Sequence, residues 1–283
     1  MHDDAEDLPA TPYKGRNLSY AGTFRNPVKV GVIRTLELFT AIPALLRVVR
    51  KFEAAGPVER EMFWNRALEL MEIPIQTPED QIARIPKSGP VVIVSNHPHG
   101  VVDGLVLAEL ARLRRPDFKI LTRSMLTSLP VIQYHFLPVA FPHEPDALRQ
   151  NIRMRKLAMD HLNDDGAIIV FPAGQLATSP TLFGQAVEPD WLPFTAKMIL
   201  KSRAEVVPVF FPGQNSRVFQ IANKLSLTLR QGLLLRETAA ARGKPMKPVI
   251  GPALGRDQID QWQDDPRGFM AHLRAVTLGL SED

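Results

Sequence analysis

Four successive β-branched residues, Val91-Val92-Ile93-Val94, follow the breaker Ser88-Gly89-Pro90. An apolar run without polar alternation predicts a strand buried on both faces. Downstream, short apolar runs alternate with stretches of helical period. The pattern predicts a helix over 103–113, strands over 118–122 and 137–141, a helix over 146–162, a strand over 167–171, a helix over 194–202 and a strand over 206–211. A strand over 248–251 and a helix over 270–278 close the chain. Such alternation implies an α/β fold, a mixed and largely parallel sheet flanked by helices. The stretch 175–193, rich in Pro, Gly and Thr, breaks the rhythm and predicts a long functional loop.

The amino-terminal part reads differently. Residues 1–26 are polar with scattered Gly and Pro, the pattern of a flexible arm. Residues 27–52 are strongly apolar but carry Lys29, Arg34, Glu37 and a central Pro43. The uncharged stretch between Glu37 and Arg47 is too short to span a bilayer, which needs about 20 apolar residues. Two helical pieces meeting at Pro43 fit either an amphipathic membrane-associating segment lying on the surface or a pair packed on the core. A further helix over 58–71 ends before Ile73-Pro74. The expected division is therefore an arm over 1–26, a helical segment over 27–86 and the regular body over 87–283.

Composition narrows the partners. The chain has 283 residues, and 45% hydrophobic with 23% charged content is ordinary for a globular protein. A formal charge of +4 and a pI near 9.4 suit an anionic membrane surface or an acidic carrier protein. Nucleic acid is not expected, because no basic helix with interleaved aromatics occurs. The absence of cysteine excludes disulfides, a thiol nucleophile and thiolate metal ligands. The acidic start, Met1-His2-Asp3-Asp4, is unlike a secretory leader, so a cytoplasmic protein peripheral to the inner membrane face is expected.

The candidate chemistry begins where the strand 91–94 stops, in Ser95-Asn96-His97-Pro98-His99-Gly100-Val101-Val102-Asp103-Gly104. That is the carboxyl end of a buried strand, where α/β sheets carry their sites. Histidine accepts and returns a proton near neutrality. A carboxylate on one ring nitrogen fixes the tautomer and leaves the other nitrogen free to act as a base. Two histidines and Asp103 therefore read as a proton-transfer site, with helix capping as the plain alternative. His97-Pro98-His99 with Asp103 could also form a metal site for a hydrolase, but no fourth ligand lies nearby. No G-x-S-x-G, H-E-x-x-H or P-loop pattern is present.

Taken in order, the motifs resemble the lysophospholipid acyltransferase family, relatives of 1-acylglycerol-3-phosphate O-acyltransferase, and in particular its hemolysin-like bacterial branch. The likeness covers roughly 87–252. Asn96-His97 with Asp103 resembles the first block, whose histidine and aspartate act on the acceptor hydroxyl. The family spacing is His-x4-Asp, whereas His97 stands six residues before Asp103 and His99 four. The Asn-His-Pro framing favours His97 as the base. Arg123 resembles the second block, which supplies a cation facing the substrate. Phe171-Pro172-Ala173-Gly174 resembles the third, normally Phe-Pro-Glu-Gly-Thr-Arg, with Ala173 at the glutamate and Leu176 at the arginine position. Val207-Pro208-Val209 resembles the fourth and runs on into Phe211-Pro212-Gly213-Gln214-Asn215-Ser216-Arg217.

The resemblance implies an acyltransferase domain over 87–283 that moves a fatty acyl group from an acyl thioester to a lysolipid hydroxyl. His97 and Asp103 would be catalytic, and His99, Arg123, Phe171, Gly174 and Arg217 would contact substrate. A backbone amide at Gly174 or a nearby turn would meet the oxyanion. No metal or organic cofactor is expected, because acyl-CoA or acyl-carrier protein brings the activated acyl group. Leucine cannot hold a phosphate as arginine does. A lyso-aminolipid, ornithine-lipid-like or sulfonate-bearing, is therefore expected ahead of lysophosphatidate. A metal-dependent hydrolase and a non-catalytic lipid-binding protein are the rival readings.

Overall fold

In a computed structural model of the protein, residues 19, 21, 26–123, 130–140 and 146–282 are described. The predicted arm over 1–26 lies almost wholly outside them. The helices are α1 Pro27–Thr40, α2 Ile42–Ala54, α3 Phe63–Leu70, α4 Glu79–Ile82, α5 Val101–Arg112, α6 Pro130–Gln133, α7 Ala147–Asn163, α8 Pro193–Lys201, α9 Arg217–Leu225, α10 Leu227–Ala240, α11 Arg256–Ile259 and α12 Pro266–Gly279. The strands are β1 Val91–Ser95, β2 Phe118–Arg123, β3 Phe136–Val139, β4 Ala167–Val170, β5 Glu205–Phe210 and β6 Val249–Ile250.

The strands form one sheet in the order β3-β2-β4-β1-β5-β6, parallel except for β6. This is the mixed, largely parallel α/β sheet expected from the pattern. β1 sits between β4 and β5, with Ile93 level with Ile169 on one side and Val207 on the other. Its alternate side chains enter two cores. Val91 and Ile93 pack with Trp64 of α3 and with Val106 and Leu110 of α5, whereas Val92 and Val94 pack with Met154 of α7, Ile199 of α8 and Phe269 of α12. Both faces of β1 are covered, which explains its unbroken apolar run.

The helix predicted over 58–71 is shorter, a 3-10 turn over Arg60–Met62 leading into α3. The strand predicted over 137–141 is Phe136–Val139, and position 141 lies outside the described residues. The helices α9 and α10, and the single turns α4, α6 and α11, stand where no element was predicted.

α10 decides the role of α1. The stripe Ile33, Glu37 and Ala41 is buried, and Ile33 packs with Leu235 of α10. A Cβ on Gly232 of α10 would lie 2.9 Å from Leu36 Cδ1 and 3.5 Å from the Ile33 Cα, so glycine permits this close crossing. Gly232→Val is expected to destabilise the protein by about 1–3 kcal/mol, read as a lower Tm. The other side of α1 exposes Val28, Val32, Leu38 and Phe39, with Phe39 81% accessible. The packed alternative left open by the sequence thus describes one face of α1. The break falls at Ala41 rather than at Pro43, because Pro43 is accommodated in the first turn of α2, where its missing N–H is not required. Among the described residues, no helix is long and apolar enough to cross a membrane.

Candidate active site

Because β1 to β5 run parallel, their carboxyl ends share one edge, and the predicted site residues gather there. His97 and His99 follow β1, Arg123 ends β2, Phe171 follows β4 and the segment from Phe211 follows β5. α5 begins at Val101, two residues earlier than predicted, which places Asp103 in its first turn. A carboxylate there meets free backbone N–H groups and the positive end of the helix dipole. Asp103 Oδ2 accepts from the His99 N–H at 2.7 Å and the Gly100 N–H at 3.0 Å. Gly100 carries this turn at φ 73°, a backbone conformation that glycine adopts without strain.

The same oxygen lies 3.1 Å from His97 Nδ1, and the Asp103 side chain is fully buried. An ionised carboxylate only accepts, so Nδ1 carries the proton and Nε2 presents its lone pair. The His97 ring stacks on Phe171, with centroids 4.1 Å apart and planes inclined by 27°. Carboxylate and phenyl ring together restrict the imidazole in rotation and tilt. Asp103 Oδ1 is buried and has no hydrogen-bond partner among the described residues.

His99 is placed otherwise. Its Nε2 lies 2.8 Å from the Pro212 carbonyl and so donates to it, linking the loop after β1 to the loop after β5. That nitrogen is not available as a base toward substrate. Among the described residues, no group of three His, Asp or Glu side chains is placed to hold a metal ion.

Arg123 closes β2 opposite Val139. Gly174 is exposed at φ 66°, and its N–H donates to Phe171 O at 2.9 Å. The amide nominated for the oxyanion is therefore already used in a turn, a correction to the sequence reading. Arg217, the first residue of α9, donates to the carbonyls of Phe183 and Gly184 and so holds the 175–193 loop. Leu176 fills the place resembling the family's arginine. It would meet a Cβ on Gly100 at 3.4 Å and packs with Phe219, Leu229 and Leu233.

Asn96 was read only as part of the first block, without a role of its own, and Glu188 escaped the sequence reading. Asn96 donates to Phe211 O at 2.9 Å and accepts from the Phe211 N–H at 2.7 Å, tying the ends of β1 and β5 together. Its signal was an amide directly after a buried strand, where polar groups need partners. Glu188 is buried and accepts from the His97 N–H at 3.2 Å. Nothing in the composition of its loop singled it out.

A family model described as acyltransferase matches residues 70–236. This chain belongs to that acyltransferase family. The match spans the residues nominated from the sequence, from His97 through Arg217, and bears out the resemblance to this family. Among curated relatives, the lyso-glycine lipid O-acyltransferase of Phocaeicola vulgatus is 27% identical over 139 residues, 49% of this chain and 47% of the relative. The enzyme of the same name from Bacteroides thetaiotaomicron is 27% identical over 158 residues, 56% of this chain and 55% of the relative. The chain thus spans about half the length of the curated relatives it matches. A solved structure, the 1-acyl-sn-glycerophosphate (LPA) acyltransferase PlsC of Thermotoga maritima, aligns at 16% identity over 90% of this chain and 93% of that chain, with a TM-score of 0.49.

Proposed function

We propose that this acyltransferase moves a fatty acyl group from an acyl thioester, carried by CoA or an acyl-carrier protein, to the hydroxyl of a lyso-aminolipid at a membrane face. The observation that carries the reading is the His97 Nδ1–Asp103 Oδ2 contact at 3.1 Å, which leaves Nε2 as the base. In the reaction, the lysolipid hydroxyl oxygen forms a bond to the thioester carbonyl carbon as its proton passes to His97 Nε2. The imidazolium gains from the buried Asp103 carboxylate. Collapse of the tetrahedral intermediate breaks the carbon–sulfur bond, and the departing thiolate takes the proton back from Nε2. Atoms and charge balance without a metal or organic cofactor.

The acceptor class rests on what surrounds Leu176. Apolar packing stands at the place resembling the arginine block, and Arg217 holds two loop carbonyls through Nη1. Leu176 offers a phosphate monoester none of the bidentate hydrogen bonding by which an arginine offsets its desolvation. The relatives named for lyso-glycine lipid support an acceptor of the amino-acid type. Competition between lyso-glycine lipid and lysophosphatidate for one acyl donor tests this, with lyso-glycine lipid expected to be acylated preferentially. A preference for lysophosphatidate that collapses in Arg217→Ala would withdraw the aminolipid assignment.

Membrane association is read from α1, whose exposed Val28, Val32 and Phe39 lie on a helix near the exposed Arg34, Arg47, Arg50 and Lys51. Apolar residues flanked by cations suit the interface of an anionic bilayer.

A further inference from the structure

The loop 175–193 carries a buried carboxylate that the reaction above does not use. Glu188 is 5% exposed. Its Oε2 accepts from the His97 backbone N–H at 3.2 Å and its Oε1 from Trp191 Nε1 at 3.1 Å. Its own backbone is held from α12, where Arg274 donates to the Glu188 carbonyl and, at 3.1 Å, to the Pro189 carbonyl. The next link also joins loop and base, because the Ala177 N–H donates to the His97 carbonyl at 3.1 Å. Both polar groups of the His97 peptide backbone are therefore gripped by the 175–193 loop, one by a main-chain amide and one by a carboxylate.

We propose that Glu188 is the positioning residue for His97: it fixes the main chain that carries the base and places a second negative charge beside the imidazole. This rests on the reading of His97 as the base. Without Glu188, the His97 N–H would lose its acceptor and the Trp191 indole N–H would be left in an apolar core. Ala173 gives the same picture from the other side. It is buried in the core that holds Trp191, at the place where the third block normally carries glutamate. A carboxylate reaching in from fifteen residues further along, at 188, supplies charge at a site where this stretch has none of its own.

The charged groups around Glu188 are His97, Asp103 on α5 and Arg274 on α12. Burial raises the Glu188 pKa above the ordinary carboxylate value, opposed by the hydrogen bonds from His97 and Trp191. The sign follows. A carboxylate whose folded pKa is raised gains protein stability as pH falls through that pKa, so the ionised form at neutral pH is a stability cost accepted for function. Lowering the pH neutralises the charge beside the base.

The test is Glu188→Gln in the full-length chain, assayed by thiol release with lyso-glycine lipid as acceptor. kcat is expected to fall about 10- to 100-fold, the effect of a base displaced by a fraction of an ångström, with KM little changed and Tm only modestly lowered, because the amide oxygen keeps one of the two donors. The acidic limb of log kcat against pH is expected to steepen by one proton in the wild type and to lose that extra proton in the variant. Trp191→Phe, which keeps the carboxylate but loses one donor, is expected to move kcat in the same direction by less. In a His97→Ala background, Glu188→Gln is expected to add nothing, because it acts through His97. Unchanged kcat, a Tm loss that accounts for the lost activity, or an undiminished effect in the His97→Ala background would each overturn the proposal. An active His97→Ala variant overturns the base assignment itself and this proposal with it, whereas active Glu188→Gln beside inactive His97→Ala overturns only the proposal.

Discussion

His97→Ala is expected to lower acyl transfer by about 100- to 10,000-fold while leaving the fold intact, because it removes the proposed base and little else. The His97 side chain is 20% exposed, its ring contact is with Phe171, and the backbone bonds to Glu188 and Ala177 survive its truncation. Asp103→Asn is expected to fall in the same range for a different reason. Three donors converge on Asp103 Oδ2, so the amide oxygen can still accept there, but the charge that stabilises the imidazolium is gone. His99→Ala is expected to act differently, loosening the link to Pro212 O and lowering stability more than the chemical step. Steady-state rates together with thermal unfolding of the three variants check this pattern. If His99→Ala is inactive and His97→Ala retains most activity, the base has been placed on the wrong ring.

Val28→Ser, Val32→Ser and Phe39→Ser combined are expected to release the protein from anionic vesicles without lowering its Tm. Val28 is 73% exposed, Val32 38% and Phe39 81%, and none of the three belongs to the buried stripe of α1 that packs on α10. Each such side chain contributes about 1.5–3 kcal/mol when fully buried in an apolar phase. Half of that sum still changes partitioning roughly a hundredfold, at about 1.4 kcal/mol per tenfold. Sedimentation with phosphatidylglycerol vesicles reads the effect, and a triple variant that pellets as fully as the wild type would refute a docking role for this stripe. Deleting 1–52 is a poorer test, since it would also remove the buried Ile33, Ala41 and Leu45. The triple variant should lose activity toward bilayer-embedded lysolipid more than toward a short-chain soluble analogue.

The amino-acid sequence alone determined the α/β alternation, the central strand 91–94 and the placing of His97 and Asp103 at its end. Those features are local: an unbroken β-branched run declares burial on both faces, and polar residues directly after it must lie at the strand's carboxyl edge. It did not disclose α10, because that helix buries Gln231, Gly232, Glu237 and Thr238 along with Leu233 and Leu235 while Leu227 is exposed, so its buried and apolar positions do not coincide and the helical period is blurred. Nor did it separate His97 from His99. Both stand within hydrogen-bonding reach of Asp103 by sequence separation, and only the fold brings Pro212 O to the ring of His99 while leaving the His97 ring on Asp103 and Phe171. Glu188 belongs wholly to the tertiary structure. It acts on His97 from 91 residues away in the chain, and a contact of that kind leaves no periodicity or spacing to be read before the loop is folded against the strand.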